Sequence, residues 1–222
     1  GCVLRDNGTA GSLASGFRAP GGALRFERCV ASGNSGDGFL ITRPPQVGTL
    51  YQFSLACDGC DAVRNGGSGI VVAGFDASVR VPVSVVGGEL CDNAVCGIDF
   101  SSAPGARGRV HAIHFGENRV HGLLSAAASL DVCDNQFTGN AGSGLHVLSG
   151  AHHVARNVCS DNVVGVYLAS AGSSVLQNTF SGSAGGVPQV AVEDASGTSG
   201  PNDVAPPQSA ASGTNPLGNL VY

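Results

Sequence analysis

Asn118-Arg119-Val120-His121-Gly122-Leu123-Leu124-Ser125 is followed 22 residues later by Asn140-Ala141-Gly142-Ser143-Gly144-Leu145-His146-Val147, and this pair of octets decides how the chain must fold. The second half of the frame, a glycine followed by two core-type residues flanking an outward one, occurs seven times. The other five are Gly16-Phe17-Arg18-Ala19, Gly38-Phe39-Leu40-Ile41, Gly69-Ile70-Val71-Val72, Gly97-Ile98-Asp99-Phe100 and Gly165-Val166-Tyr167-Leu168; Gln189-Val190-Ala191-Val192 repeats it without the glycine. Successive glycines are 22, 31, 28, 25, 22 and 21 residues apart. A period of this size with insertions is the mark of a solenoid, in which each unit buries its apolar face only against its neighbours.

The column one residue after each glycine (Phe17, Phe39, Ile70, Ile98, Leu123, Leu145, Val166, Val190) has no polar member and predicts a core-facing row. The next column holds Arg18, Leu40, Val71, Asp99, Leu124, His146, Tyr167 and Ala191, and the one after it turns apolar again. Alternation of period two at every rung is a strand with two unlike faces. Units this short leave no room for a crossover helix, so each strand must stack in parallel on its counterpart one coil away. The expectation is an all-β chain, a right-handed parallel β-helix of about eight coils, its hand set by crossover chirality. At the strand-to-strand spacing that makes a rod of roughly 38 Å.

Asn34, Asn65, Asn93, Asn118 and Asn140 each stand four residues before a repeat glycine, in a turn where a residue tolerant of positive φ is expected. Stacked at the coil repeat, their amides predict a ladder from rung to rung. Asn135, Asn157 and Asn178 predict a second ladder toward the C-terminus. The β-helix domain is read as residues 1–194. Residues 195–222, rich in Gly, Ser, Pro and Asn without strand alternation, are read as an irregular tail, a linker or a capping arm that could bury Leu217, Leu220, Val221 and Tyr222. Gly1 already reads as part of a coil with no leader pattern before it, which points to a processed product or a domain of a larger polypeptide.

The pattern resembles the right-handed parallel β-helix repeats of the pectate-lyase-like superfamily, over roughly residues 1 to 194. That resemblance implies the fold and leaves open several activities: polysaccharide lyases, glycoside hydrolases, C5-epimerases, tailspikes and adhesins. The lyase motif Arg-x-Pro-x-x-Arg is met by Arg80-Val81-Pro82, but its second arginine position is Val85. The polygalacturonase pattern of paired aspartates, Gly-His-Gly and Arg-x-Lys is missing altogether, since the chain has no lysine. Gly74-Phe75-Asp76 keeps only the opening of an epimerase-type motif. Glycoside hydrolysis needs two carboxyl groups about 5 to 9.5 Å apart; Asp92, Asp134 and Asp161 are spaced as turn formers instead.

Composition narrows the choice. The net charge is −5 and charged residues make up only 12 % of the 222 residues, so no basic stripe exists to neutralise phosphates and nucleic acid is not an expected partner. No apolar run reaches the ~20 residues of a membrane helix. Eight cysteines and the fold class favour an oxidising, extracellular or cell-surface location. Cys29 and Cys60 share one offset from their glycines and are expected to stack within disulfide reach, a bridge worth roughly 3 to 4 kcal/mol. Cys91 and Cys96 are candidates for a small closed loop, and Cys57 for pairing with Cys2 or for remaining a free thiol. No metal site is assigned: Cys57-x-x-Cys60 lacks a second matching pair, and His111, His114, His152 and His153 are read as surface or turn residues.

Insertions following the same strand in three neighbouring coils, Thr42 to Leu50, Ala73 to Pro82 and Ser101 to Gly108, predict a wall beside the strand face. They bring Arg43, Asp76, Arg80 and Arg107 near Asp99, with His146 and Tyr167 further along, as candidate substrate-binding residues for an anionic polysaccharide, because guanidinium groups contact oxyanions in pairs. The leading expectation is a non-catalytic extracellular module for surface structure, adhesion or self-assembly, with itself as partner. The alternative is a lyase or C5-epimerase of uronic-acid polymers, with Arg80 as base, Asp76 or Asp99 assisting and calcium required only in that case. The absence of tryptophan argues against a sugar-stacking groove.

Overall fold

A computed structural model of the chain describes residues 1–8, 14–20, 22–43 and 53–182, together with the strand backbone at 190–192, 203–204, 207–209 and 219–221. All the regular elements described are strands, and every pairing is parallel. One coil shows the route: Gln136–Thr138 in the first sheet, Ser143–Val147 in the second, His153–Ala155 in the third, and Val158–Ser160 back in the first. The three sheets hold ten, eight and eight strands, and the chain winds through them as a parallel β-solenoid of about seven turns. The repeat frame is the second sheet, with register Phe17↔Phe39, Ile98↔Leu123 and Leu145↔Val166 as the columns require. Among the described residues no helix is long and apolar enough to cross a membrane.

The core runs down the axis. Phe39, Ile70, Ile98, Leu123, Leu145 and Val166 enter it from the second sheet, and all are fully buried. Leu90, Phe115, Phe137 and Phe180 enter from the first sheet, and Val85, Val110, Val132 and Val154 from the third. Phe115 and Phe137 stack with centroids 4.7 Å apart and planes 8° from parallel, so the rung repeat also aligns aromatic faces. The repeat glycines are needed for close approach. A Cβ on Gly69 would lie 2.6 Å from the Gly97 carbonyl oxygen, and one on Gly97 would meet Gly122 O at 2.7 Å and the Phe115 ring at 2.6 Å. Any side chain there would push the rungs apart.

The first ladder is longer than the five-asparagine spacing indicated. It begins at Asn7, whose Nδ2 donates to Asn34 Oδ1 at 2.8 Å, and ends at Asn162, whose Oδ1 accepts from Asn140 Nδ2 at 2.8 Å. The second ladder runs Asn135, Asn157, Asn178. The conformational role expected of the ladder asparagines belongs instead to the residue before each one. Asp6, Gly33, Arg64, Asp92, Glu117, Gly139 and Asp161 have φ between 53° and 67°. The other corner behaves alike at Arg28, Gly59, Gly87, Ala112, Asp134, Arg156 and Gln177, with φ from 49° to 67°. A left-handed residue reverses the chain, which frees the following asparagine to turn its amide inward along the stack. Asp92, Asp134 and Asp161 are therefore turn formers, as their spacing implied.

Beyond the eighth repeat strand, Val190–Val192, short strands of the 195–222 segment join the sheet ends. Asp203–Val204 pairs with Ser174–Leu176, Asn219–Val221 with Thr179–Ser181, and Pro207–Ser209 with Asn219–Val221. The rest of that segment, and most of the Thr42 to Leu50 insertion, lie outside the described residues.

Candidate functional site

The insertions connect the second sheet to the third. At that corner Arg43 Nη1 and the Asp76 carboxylate form an ion pair, and Asp76 also accepts from the Ser78 backbone N–H at 3.0 Å and from its hydroxyl. Ser78 first and Arg43 second hold the exposed Asp76 carboxyl below the usual carboxylate range. Phe75 fixes the loop from beneath: it is fully buried, edge-on to Phe53 at 4.9 Å. The Gly74-Phe75-Asp76 segment thus serves as a core anchor followed by a capped turn. Arg80 is exposed at the end of the same loop.

Arg107 is placed differently from the expectation. The strand Ala106–His111 begins before it, so Arg107 and Arg109 stand on the outer face of the third sheet, opposite Pro82 and Ser84 of the previous coil. The reason is length: the third insertion has shrunk to a tight turn at 103–105, and strand pairing resumes at once.

Asp99 stays on the outward face of the second sheet, in register with Val71 and Leu124, and its Oδ1 accepts from the Ser101 N–H at 2.7 Å. Further along, the His146 ring meets Tyr167 at 4.5 Å and His121 at 4.6 Å between centroids. His121 was not singled out by its sequence position, although it is the residue before repeat glycine Gly122 and so belongs to the column Asp37, Ser68, Cys96, His121, Ser143 beside the strand. Members of that column bond to the next rung: Ser68 N–H donates to Asp37 Oδ1 at 2.8 Å, and Ser143 N–H to His121 Nδ1 at 3.0 Å. Burial first and the neighbouring His146 second lower the His121 pKa to about 4. The structure thus gathers His121, His146 and Tyr167, joins Arg43 to Asp76, and leaves Arg107 on another sheet.

A second cluster lies on the outer face of the third sheet. His111 and Cys133 are register partners on adjacent coils, with Asp131 two residues before Cys133. His111 Nε2 is 3.0 Å from Asp131 Oδ2, and Cys133 Sγ donates to Asp131 Oδ1 at 2.8 Å. Burial and then the carboxylate push the Cys133 thiol up to about 12. The carboxylate stands between thiol and imidazole, so this is not a nucleophile-base arrangement, in which the imidazole would touch the thiol. The sequence signal was a 22-residue spacing between His111 and Cys133, one coil, which gains meaning only once both are known to face outward.

All eight cysteines are thiols in the structure. Cys29 and Cys60 occupy the ladder position of adjacent rungs, joined by the Asp61 N–H to Cys29 O bond at 2.9 Å. Cys57 enters the same corner from the third sheet; its hydrogen bond to Cys60 lowers the Cys60 pKa to about 6. Cys2 stands one rung before Cys29, its carbonyl accepting from the Val30 N–H at 2.8 Å. Cys91 lies beside His114, with Sγ to Nδ1 at 3.7 Å, while Cys96 is buried against the second sheet. His152 is buried too: Leu130 N–H donates to its Nδ1 at 3.0 Å and its Nε2 faces Ser149 O at 3.0 Å. It performs an asparagine's bridging role with a longer side chain.

The side chains available for acid-base chemistry are thus mostly occupied by the chain's own donors and acceptors. Compared with known proteins, the chain matches no family model, no curated protein and no solved structure.

Proposed function

We propose that this chain is a non-catalytic β-helix module of pectate-lyase-like type that acts outside the cell as a surface, adhesion or assembly element, with end-to-end docking as its mode of assembly. The observation that carries the reading is that the candidate acid-base groups are engaged by the chain itself: Asp76 by Ser78 and Arg43, and Asp99 by Ser101. The regular parallel stacking of rungs in three sheets supports assembly, because a further rung of the same kind adds to each sheet by the same pairing.

The test is light scattering and electron microscopy of the unreduced protein over a concentration series, beside a variant with Val3→Lys and Phe17→Lys. End-to-end particles that disappear in the variant are expected. A strict monomer at high concentration overturns self-assembly.

A second reading, binding or cleavage of an anionic uronic-acid polysaccharide, is favoured by the exposed Arg80 at the end of the loop that carries Asp76 and its ion pair with Arg43. Incubation with pectate and alginate would then raise absorbance from unsaturated uronate or change uronate composition, and Arg80→Ala would abolish the change.

A further inference from the structure

We propose that His111, Asp131 and Cys133 form a binding site for a single divalent transition-metal ion of the zinc class. The three offer an imidazole nitrogen, a carboxylate oxygen and a sulfur whose ligand atoms all lie within 4.8 Å of one another, and no other such trio occurs among the described residues. Nitrogen, oxygen and sulfur in one small set suit zinc and cobalt, and exclude calcium and magnesium, which want oxygen alone. Three protein ligands with one position turned to water is a common arrangement for zinc.

The surroundings keep the site available. Asp131 is flanked in register by Arg109 and His153, and both are directed elsewhere: Arg109 Nε donates to Ser84 Oγ at 3.0 Å on the previous coil, and His153 Nδ1 lies 2.8 Å from Ser174 Oγ on the next, while the nearby Arg156 makes a paired contact with Asp134 at 2.8 and 2.9 Å. The Asp131 carboxylate is left to the two groups able to share a metal with it. Its side chain is 46 % exposed and that of His111 26 %, whereas Cys133 is buried, so the ion approaches from the carboxylate side and the thiol forms the floor. His111 and Cys133 belong to paired strands, Ala106–His111 and Ser129–Cys133, so the rigid sheet sets their separation. On binding, Cys133 releases its proton to solvent. His111 donates its Nε2 lone pair and carries its ring proton on Nδ1, and Asp131 exchanges the thiol hydrogen bond for a bond to the metal.

Cobalt(II) is the probe, titrated into the reduced, full chain. One equivalent is expected to produce a thiolate-to-cobalt charge-transfer band, removed by one equivalent of zinc. Cys133→Ser should abolish the band, and His111→Gln, at a half-covered position that tolerates the change, should weaken zinc binding at least about tenfold with the far-ultraviolet circular dichroism of the metal-free protein unchanged. The double variant Cys57→Ser, Cys60→Ser should keep the band, which separates this site from the cysteine-rich corner. No band in the reduced chain, a band that survives Cys133→Ser, or a band lost in the double variant overturns the proposal.

Discussion

Replacing Asn118 by alanine tests whether the ladder holds the rungs together, and the structure states what would be lost. Asn118 Oδ1 accepts from the Asn93 backbone N–H at 3.2 Å and from Asn93 Nδ2 at 3.0 Å. Its own Nδ2 donates to Leu90 O at 2.9 Å and to Asn140 Oδ1 at 2.9 Å. Asn140 keeps the Asn118 N–H after truncation, and Asn93 Nδ2 keeps its second bond, to Ala62 O. Two donors are nevertheless orphaned, the Asn93 N–H and one Asn93 amide hydrogen, while the Leu90 carbonyl, inside the paired strand Glu89–Cys91, loses its side-chain donor only. Both orphans are buried, so at about 1 to 3 kcal/mol for each unsatisfied group, reduced by some relaxation, the loss should be about 2 to 4 kcal/mol. This is a large share of a typical total stability of about 5 to 15 kcal/mol. Asn7→Ala is the internal reference. Asn7 gives a single side-chain bond at a part-buried end, and Asn34 Oδ1 keeps the Asn7 N–H, so the cost should stay below about 1 kcal/mol. Asn118→Asp separates hydrogen bonding from shape. It retains the acceptor but sets a carboxylate against Leu90 O and Asn140 Oδ1, and its deficit relative to wild type should shrink as pH falls and the carboxyl is protonated. Denaturant unfolding followed by circular dichroism reads all three. If Asn118→Ala costs no more than Asn7→Ala, the ladder is not a source of stability and the reasoning fails.

Three further outcomes are expected. His121 and His152 are held neutral, since each Nδ1 accepts a backbone N–H and burial lowers both pKa values; the native state then binds fewer protons than the unfolded chain, so stability is full above about pH 6.5 and declines as pH falls toward 4. Allowing for solvent screening at the part-exposed His121, a loss of roughly 1 kcal/mol between about pH 7 and pH 5 is expected from that residue, and a pH dependence left unchanged by His121→Gln would refute it. Gly97→Ala drives a methyl into Gly122 O and the Phe115 ring, and thermal unfolding should show a loss of about 1 to 3 kcal/mol; an unchanged midpoint would mean that the rungs yield. Under oxidising conditions the corner of Cys2, Cys29, Cys57 and Cys60 should form disulfide, with Cys29–Cys60 the bridge expected from stacking and Cys57–Cys60 its competitor; peptide mapping without reduction identifies the pair, and full alkylation of all four thiols rules out both.

Much of the fold was legible along the chain because a β-solenoid repeats its physics at each rung. Phe39, Ile70, Ile98, Leu123 and Leu145 form one buried column because alternation sends every second side chain inward, and the glycine before each marks where backbones approach too closely for a Cβ. Asn34 through Asn140 could be read as a ladder for the same reason. Asn7 and Asn162 were hidden because the spacing to their glycines changes at Gly16 and Gly165, and only the hydrogen bonds themselves restore the alignment.

The candidate sites were legible only in part. Arg43 and Asp76 were placed at one corner from insertion lengths, and the structure joins them; Arg107 was placed with them and belongs to a strand, since the third insertion closes too quickly to form a wall. His111, Asp131 and Cys133 were each ordinary in sequence.

The sequence by itself determined the repeat, its parallel stacking, the core columns and most of the ladder, because these follow from period-two alternation and a nearly constant coil length. Only the tertiary structure decided which side chains of different coils meet: His121 with His146 and Tyr167, Cys57 with Cys60, and His111 with Asp131 and Cys133. Those meetings depend on inter-coil register and on which way each outward side chain points, and insertions of unequal length conceal both from any reading of spacing alone.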